Sequence, residues 1–400
     1  MVTLQDILEA YFDCRRSKRT KDSSLAFELD YEMECAKLVE EINNRTYEPG
    51  PSIAFVVTRP KYREVFAASF RDRIIHHWIA LRLEPLFEQS FIEDTYNCRK
   101  GKGTLYGRER LAEKMKVMSN NYTEDCYVAK FDMQGFFMSI NKPLLWQLLE
   151  EYIFRNYTNA KDFNDLLWLS KKIILHCPEK NCIKKCPSKL WSFISPDKSL
   201  FTCGADYGLP IGNLTSQMFA NFYLLMFDLI MVDIFGIGYG RYVDDFFVVC
   251  KDKKKILSFI VFMREWLLKE RQIKLHPNKV YLQHVRRGIS FIGGTIKDGR
   301  HYTNNRTIDN FGGLIKGLNA YIGCTEPETA VCRINSYLGF LHHTNSFNIR
   351  KKMVISLSKD WWEKLYANKG FKKMTVKRRY RNRHNIINNI KGEDYGKIVL

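Results

Sequence analysis

Three aspartates in this 400-residue chain stand where carboxylates are hardest to explain by solubility alone. Asp244 and Asp245 are adjacent in "RYVDDFFVV" (241–249), and Asp132 is isolated in "CYVAKFDMQGFFMSI" (126–140). Their β-branched and aromatic neighbours give both stretches the composition of buried strands. Adjacent residues of a regular strand face opposite sides, so the Asp-Asp pair fits a turn between two short strands. Two carboxylates about 4 Å apart repel by roughly 4 kcal/mol at an effective dielectric near 20. A turn open to water relieves that repulsion by solvation. A divalent cation cancels it, and oxygen ligands select Mg²⁺ or Mn²⁺. If the Asp132 strand lies beside the hairpin, the three carboxylates converge. Such a cluster can hold two ions about 3.5–4 Å apart, one activating an attacking hydroxyl and the other stabilising the leaving oxygen. That chemistry is phosphoryl transfer.

The elements that must position these residues follow from periodicity and punctuation. Residues 1–48 read as a helical extension that stops at Asn-Asn and Pro-Gly signals. "SIAFVVTRP" (52–60) reads as a strand, and 63–91 begins as strand or loop and becomes a helix with a basic polar face. The Asp132 strand leads into helical spacing up to about 175, and 176–207 reads as a loop-rich insertion. "GLPIGNLTSQMFANFYLLMFDLIMVDIF" is a Gly-Pro turn opening one long apolar helix, which the Asp-Asp hairpin follows. An amphipathic helix, the turn "LHPNK" and several short strands come next, and from about 307 the chain reads as all-helical.

The formal charge is +19, with 63 Lys and Arg against 44 Asp and Glu, which favours a polyanionic partner and nucleic acid first. Within 351–400 there are fourteen basic and four acidic residues, and "WWEKLYANKGFKKMTVKRRYRNRH" interleaves bases with aromatics. That composition tracks phosphates and stacks on bases, so Lys372, Lys373, Arg378 and Arg379 are nucleic-acid-binding candidates. No run of about 18 apolar residues marks a membrane span. The N-terminus does not read as a signal peptide, so a soluble cytoplasmic protein is expected. The eleven cysteines are an odd, scattered set. His176, Cys177, Cys182 and Cys186 cluster in "HCPEKNCIKKCP", but their gaps are wider than the tight pairs of zinc ribbons. The spacing favours a basic loop with incidental thiols over a zinc site.

Three motifs in chain order resemble those of reverse transcriptases: "KFDMQGFF", "GLPIGNLTSQMFANFYL" and "YVDD". The resemblance implies an α+β right-hand polymerase fold, with an antiparallel palm sheet packed on helices. It divides the chain into an extension (1–48), fingers (49–125), palm (126–306) and a helical basic thumb with its tail (307–400). It implies RNA-directed DNA polymerase activity with two Mg²⁺ ions, Mn²⁺ being an alternative. Asp132 and Asp244 become the principal metal ligands, with Asp245 beside them and the Met133 carbonyl facing a metal. Phe137 becomes the ring beneath the sugar that excludes a 2′-hydroxyl. Arg63 and Lys61 would contact the incoming triphosphate, and Ile211, Gly212 and Gln217 would lie at the nucleotide. Lys279 would protonate the pyrophosphate leaving group. Arg71 and Arg73 are template or phosphate candidates, an ion pair with Asp72 being the alternative. "SFIGG", with Phe291 and Gly293, is similar to the primer grip.

"LPIGN", where many relatives carry Leu-Pro-Gln-Gly, together with "TSQ", "LHPNKVYLQ" and "INSYLGFLHHTNSFNIRKK", resembles the reverse transcriptases of diversity-generating retroelements. Those enzymes, of a group II intron-like bacterial and phage lineage, copy a template RNA with frequent errors at adenines. They act with deoxynucleoside triphosphates, a structured RNA and a small basic helical accessory protein. Mutagenic retrohoming is therefore the implied role, and antiphage defence by an enzyme of the same lineage is the alternative.

Overall fold

The computed structural model describes residues 1–16, 18–58 and 61–381. They build an α+β architecture, as expected. The chain divides into two compact units: Met1–Gly107 with Cys126–Leu282, and Arg108–Asp125 with Gln283–Leu400.

The first unit opens with three helices, Leu4–Arg15, Asp22–Glu28 and Tyr31–Asn43. Thr3 starts the first of them through a reciprocal capping box with Asp6. Ile7, Ala10, Tyr11 and Cys14 then recur at helical spacing and enter the core. The helix Phe70–Ser90 carries Ile74, Ile75, Trp78, Ile79, Leu83 and Phe87 into the same core. Its buried Asp72 accepts bonds from Tyr47 Oη (2.9 Å), the Gly50 N–H (3.0 Å) and Ser69 Oγ (2.7 Å), so that carboxylate is structural.

Strands β1 (Ser52–Val57) and β2 (Arg63–Ala67) form an antiparallel hairpin with Phe55 opposite Val65. A four-stranded sheet contains β3 (Tyr127–Asp132). The 176–207 insertion is more ordered than its composition suggests, because β4 (Cys182–Lys184) joins β1 in parallel. The strands β5 (Tyr239–Tyr242) and β6 (Asp245–Cys250) follow, and β7 (Tyr281–His284) carries the chain from the first unit to the second. The order of the larger sheet is β5-β6-β3-β7. Phe246, Phe247, Val248 and Val249 are all fully buried, so both faces of β6 are covered and its sequence is a continuous apolar run.

The single long helix expected after the Gly-Pro turn is two helices, Leu214–Tyr223 and Leu225–Phe235, bent by 44°. The ladder breaks at Leu224, whose N–H bonds three residues back to the Asn221 carbonyl. Among the described residues no single helix is long and apolar enough to cross a membrane.

The second unit holds β8 (Ile289–Phe291), β9 (Gly294–Lys297) and β10 (Arg300–Thr303) as an antiparallel meander. The helices Asn305–Ala320, Pro327–Leu341, Phe347–Ile355 and Lys359–Lys364 pack around Phe311, Ile334, Leu338 and Trp361. The all-helical expectation after 307 needs correction. β11 (Leu365–Ala367) and β12 (Met374–Val376) form a hairpin with Tyr366 opposite Thr375. Asn368 Oδ1 caps its loop by accepting the Lys372 and Lys373 N–H groups at 2.8 and 3.0 Å. Asn335 ties it to a helix through both backbone groups of Met374. This unit combines Arg108–Asp125 with Gln283–Leu400, whereas the motifs place the start of the C-terminal module at 307.

Candidate active site

The β3–β6 register places Asp132 directly opposite Asp245, and directly opposed residues of an antiparallel pair share a face. Tyr242 pairs with Asp245, so Val243 and Asp244 are the two turn residues of the β5–β6 hairpin. Val243 sits at φ +58°, a costly region for a β-branched residue. Its peptide groups are held from outside the turn. The Val243 N–H donates to Asn97 Oδ1 (2.9 Å), and Arg241 Nη1 donates to the Val243 carbonyl (2.9 Å). Arg241 is itself fixed by Asp228 through Nε (2.7 Å) and Nη2 (2.5 Å), with both side chains wholly buried. Tyr239 Oη also donates to Asp228 (2.6 Å), and Asn221 Nδ2 donates to the Asn97 carbonyl (2.8 Å).

The end of β3 is fastened as firmly. The Met133 N–H donates to the Asp244 carbonyl (3.2 Å), the Gln134 N–H to the Lys274 carbonyl (2.8 Å) and the His276 N–H to the Asp132 carbonyl (2.8 Å). These bonds draw the "LHPNK" turn against the strand end and bring Lys279 Nζ to 2.8 Å from Asp132 Oδ1. Burial, then the charges of Asp245 and Asp132, push the Asp244 carboxyl up to about 6. Burial also raises Asp245, opposed by the positive charges of Lys130, Lys279 and Lys61. The site is thus short of positive charge at its centre.

Among the described residues no three histidine, cysteine or carboxylate groups stand ready to ligate one ion. The donor set nevertheless fits a hard divalent cation. It offers only oxygens, and Mg²⁺ commonly takes one or two carboxylates together with substrate phosphates instead of an all-protein cage. Among the described residues His176, Cys177, Cys182 and Cys186 do not come together as a metal-ligand group.

Phe137 is half-buried on the short helix Phe136–Ser139, and its carbonyl accepts the Leu209 N–H (2.9 Å). The Gly-Leu-Pro turn is stitched to β2: the Phe66 N–H donates to the Ile211 carbonyl (2.8 Å) and the Ala68 N–H to Asn213 Oδ1 (3.1 Å). Gly212 is at φ +125°, and a Cβ there would sit 2.8 Å from the Phe66 carbonyl oxygen. The Ile211 side chain packs beside Ala54, Phe66, Met138 and Leu200. Gln217 Oε1 accepts the Cys98 thiol at 2.6 Å. Arg63 and Lys61 are exposed at the start of β2. Arg71 pairs with Glu41, lies 3.4 Å from Asp72 and covers the Tyr47 ring, so its charge is already engaged inside the unit. Arg73 is half-buried two residues beyond it on the same helix.

In the second unit, Phe291 is buried at the end of β8 and Gly293 is exposed in the β8–β9 turn at φ +76°. Lys372 and Lys373 are exposed in the β11–β12 loop, and Arg378 and Arg379 are exposed on a short 3₁₀ turn. Arg383, His384 and the rest of the basic tail from 382 onward lie outside the described residues.

Sequence reasoning missed Asn97, Asn221, Asp228 and Arg241. A signal existed for two of them. Asp228 interrupts an apolar helix and Arg241 an apolar strand, and opposite charges in buried runs are candidates for one another.

The chain matches the reverse transcriptase (RNA-dependent DNA polymerase) family over residues 57–296. It is 21% identical over 291 residues to Protein YkfC of Escherichia coli K12, covering 64% of this chain and 69% of that protein. Among solved structures it is similar to telomerase from Candida albicans in complex with a TWJ fragment of telomeric RNA (12% identity, TM-score 0.44, 83% of this chain). It is also similar to apo telomerase from Candida tropicalis (10% identity, TM-score 0.45, 78% of this chain). The chain spans 60% and 58% of the lengths of those two telomerases. The family match takes in more than half of the chain, including Asp132, the stitched Gly-Leu-Pro turn, the Asp244–Asp245 hairpin and Lys279, and the chain therefore belongs to the reverse transcriptase family, with its α+β right-hand polymerase fold.

Proposed function

We propose that this protein is an RNA-directed DNA polymerase that copies a template RNA into cDNA, error-prone and serving the mutagenic retrohoming of a diversity-generating retroelement. The observation that carries the polymerase reading is the pairing of Asp132 with Asp245 beside Asp244 at the turn, with Lys279 bonded to Asp132. Asp132, Asp244 and Asp245, with the Met133 carbonyl, would hold two Mg²⁺ ions. Bound there, the metal ions would lower the pKa of the primer hydroxyl and neutralise charge on the leaving phosphates. Lys279 Nζ, poised at Asp132, would give its proton to the departing pyrophosphate. Lys61 and Arg63, exposed at the start of β2, would bind the triphosphate of a deoxynucleotide. Phe137 would lie beneath its sugar and leave no room for a 2′-hydroxyl. The Gly208–Asn213 turn, with Ile211 and Gly212, would back the nucleotide through a frame that β2 holds by backbone bonds. Gln217, Arg71, Arg73, Phe291, Gly293, Lys372, Lys373, Arg378 and Arg379 remain candidates for contacts to nucleotide, template and duplex.

The diversifying role rests on the motif resemblance, on Ile211 in place of a polar side chain and on a basic chain suited to a structured RNA. A small basic helical accessory protein would be its partner. The test is primer extension on an RNA template with Mg²⁺ and four deoxynucleotides, with Asp244→Asn as control, followed by sequencing of the cDNA. Extension lost in the control supports the polymerase reading, and errors concentrated at template adenines support diversification. Accurate or repetitive untemplated product would remove the diversifying role.

A further inference from the structure

The polymerase chemistry above makes no use of the 176–207 segment, yet two anchors fix it to the first unit. At one, β4 pairs with β1, and the Lys185 N–H donates to the Ala54 carbonyl at 2.9 Å. At the other, the buried Glu64 carboxylate on β2 accepts Ser199 Oγ and the Leu200 N–H, both at 2.7 Å. The chain between these anchors has to leave the sheet edge and return to it. On the way it lays Phe193 against Tyr62, with ring centroids 4.8 Å apart and ring planes 21° from parallel.

This stacked pair is not core. Phe193 is 51% and Tyr62 41% exposed. Scattered exposed aromatics need no explanation, but two half-exposed rings stacked across 131 residues of chain expose a flat apolar face that the fold does not use. Their surroundings are cationic. Lys61 and Arg63 flank Tyr62 and are exposed, and Lys189 is exposed one turn before Phe193. From 180 to 198 there are five lysines (Lys180, Lys184, Lys185, Lys189 and Lys198) and one acid, Asp197. Protein-binding surfaces are depleted in lysine, which argues against a protein occupant. Aromatic faces set among cations match unpaired nucleobases, since every base has a π-face and its phosphates seek positive charge. The Lys61 charge also reaches Asp245, so the basic flank of Tyr62 is within electrostatic range of the catalytic carboxylates.

We propose that Tyr62 and Phe193 form a shelf on which an unpaired base of the single-stranded template stacks, with Lys189 contacting its phosphates. Naming the template as the strand rests on the polymerase reading; the stacking site itself does not.

The experiment measures binding without catalysis. The full-length protein is titrated, in EDTA and without nucleotides, into primer–template duplexes that are blunt or carry a five-nucleotide template overhang containing 2-aminopurine. Phe193→Ala should weaken binding of the overhang duplex by about tenfold, the scale of losing one base–aromatic stack, and should abolish quenching of the probe. Binding of the blunt duplex should not change, and Phe193→Trp should retain both affinity and quenching. Equal loss on both duplexes, or no loss on either, overturns the shelf. In a second arm, a raised deoxynucleotide KM with unchanged overhang affinity assigns the rings to the incoming base and also overturns it. Failure of the unaltered protein to extend a primer would remove the polymerase reading and leave the binding comparison intact.

Discussion

Two hairpins, one in each unit, solve the same backbone problem in opposite ways. The β5–β6 turn places Val243 at φ +58°, and the β8–β9 turn places Ile292 at φ +44°. Both are two-residue connections, since Tyr242 faces Asp245 and Phe291 faces Gly294. Both put a β-branched residue where turns of this length usually take Gly, Asn or Asp. Left-handed backbone costs an L-residue about 1–2 kcal/mol. Around Val243 the cost is offset by bonds from Asn97 and Arg241 to both of its peptide groups, backed by a dry ion pair. Ile292 carries that cost itself, and only the second turn position is free of it, because Gly293 takes φ +76° without a Cβ and is exposed. The first turn carries a charge whose position matters, and its frame is built from distant chain. The second turn presents backbone to solvent and relies on local residue choice.

The comparison breaks most visibly at the charge itself. Asp244→Asn should lower primer extension by roughly two to three orders of magnitude, the scale of deleting one electrostatic partner of a transition state. Its melting temperature should not fall, because the lost carboxylate is one that burial disfavours.

The frame comes next. Arg241→Met strands the buried Asp228 carboxylate, and urea denaturation should show a loss of about 3–5 kcal/mol. Adding Asp228→Leu should restore most of that stability. Extension should stay impaired in the double variant, because the Val243 carbonyl still lacks its donor. Full recovery of activity would show that the turn does not need the frame.

A smaller effect should appear with pH. Asp244 has its folded pKa, about 6, above the ordinary 3.8, so its contribution to stability is whole below pH 3.8 and is lost as the pH rises through about 6. In EDTA, the melting temperature of the unaltered protein should therefore drop relative to Asp244→Asn over that window. Mg²⁺ at neutral pH should narrow the gap.

The smallest change belongs to the other hairpin. Ile292→Asn creates an Asn-Gly turn and should raise stability by about 1 kcal/mol. The same relief sought with Val243→Gly should lower extension, by loosening Asp244.

The three aspartates and Lys279 were readable because their signal is local: an acid in an apolar strand, or a base in a tight turn. The fold class was readable from the same alternation of strands and helices. The supporting partners were not. Asn97 reaches Val243 across 146 residues, and no periodicity encodes that register. The break at Leu224 lies within an unbroken apolar run, where a buried bend and a straight helix share one composition. The β11–β12 hairpin was hidden because its strands are three residues each, its loop is rich in Lys, and its fold depends on Asn368 and Asn335 side chains bonding to backbone.

The bond from the Phe66 N–H to the Ile211 carbonyl separates where position 211 sits from what it carries. The main chain supplies the anchor, while the side chain, packed beside Ala54, Phe66, Met138 and Leu200, sets what lines the turn. Copying accuracy could then drift through this one codon while the polymerase frame stayed constant. A saturation library at 211, beginning with Ile211→Gln, should trade error rate against turnover, with the polar and small replacements also losing some stability from the packing on Ala54 and Leu200. An error spectrum that stayed flat across the library would show that copying accuracy does not depend on this side chain.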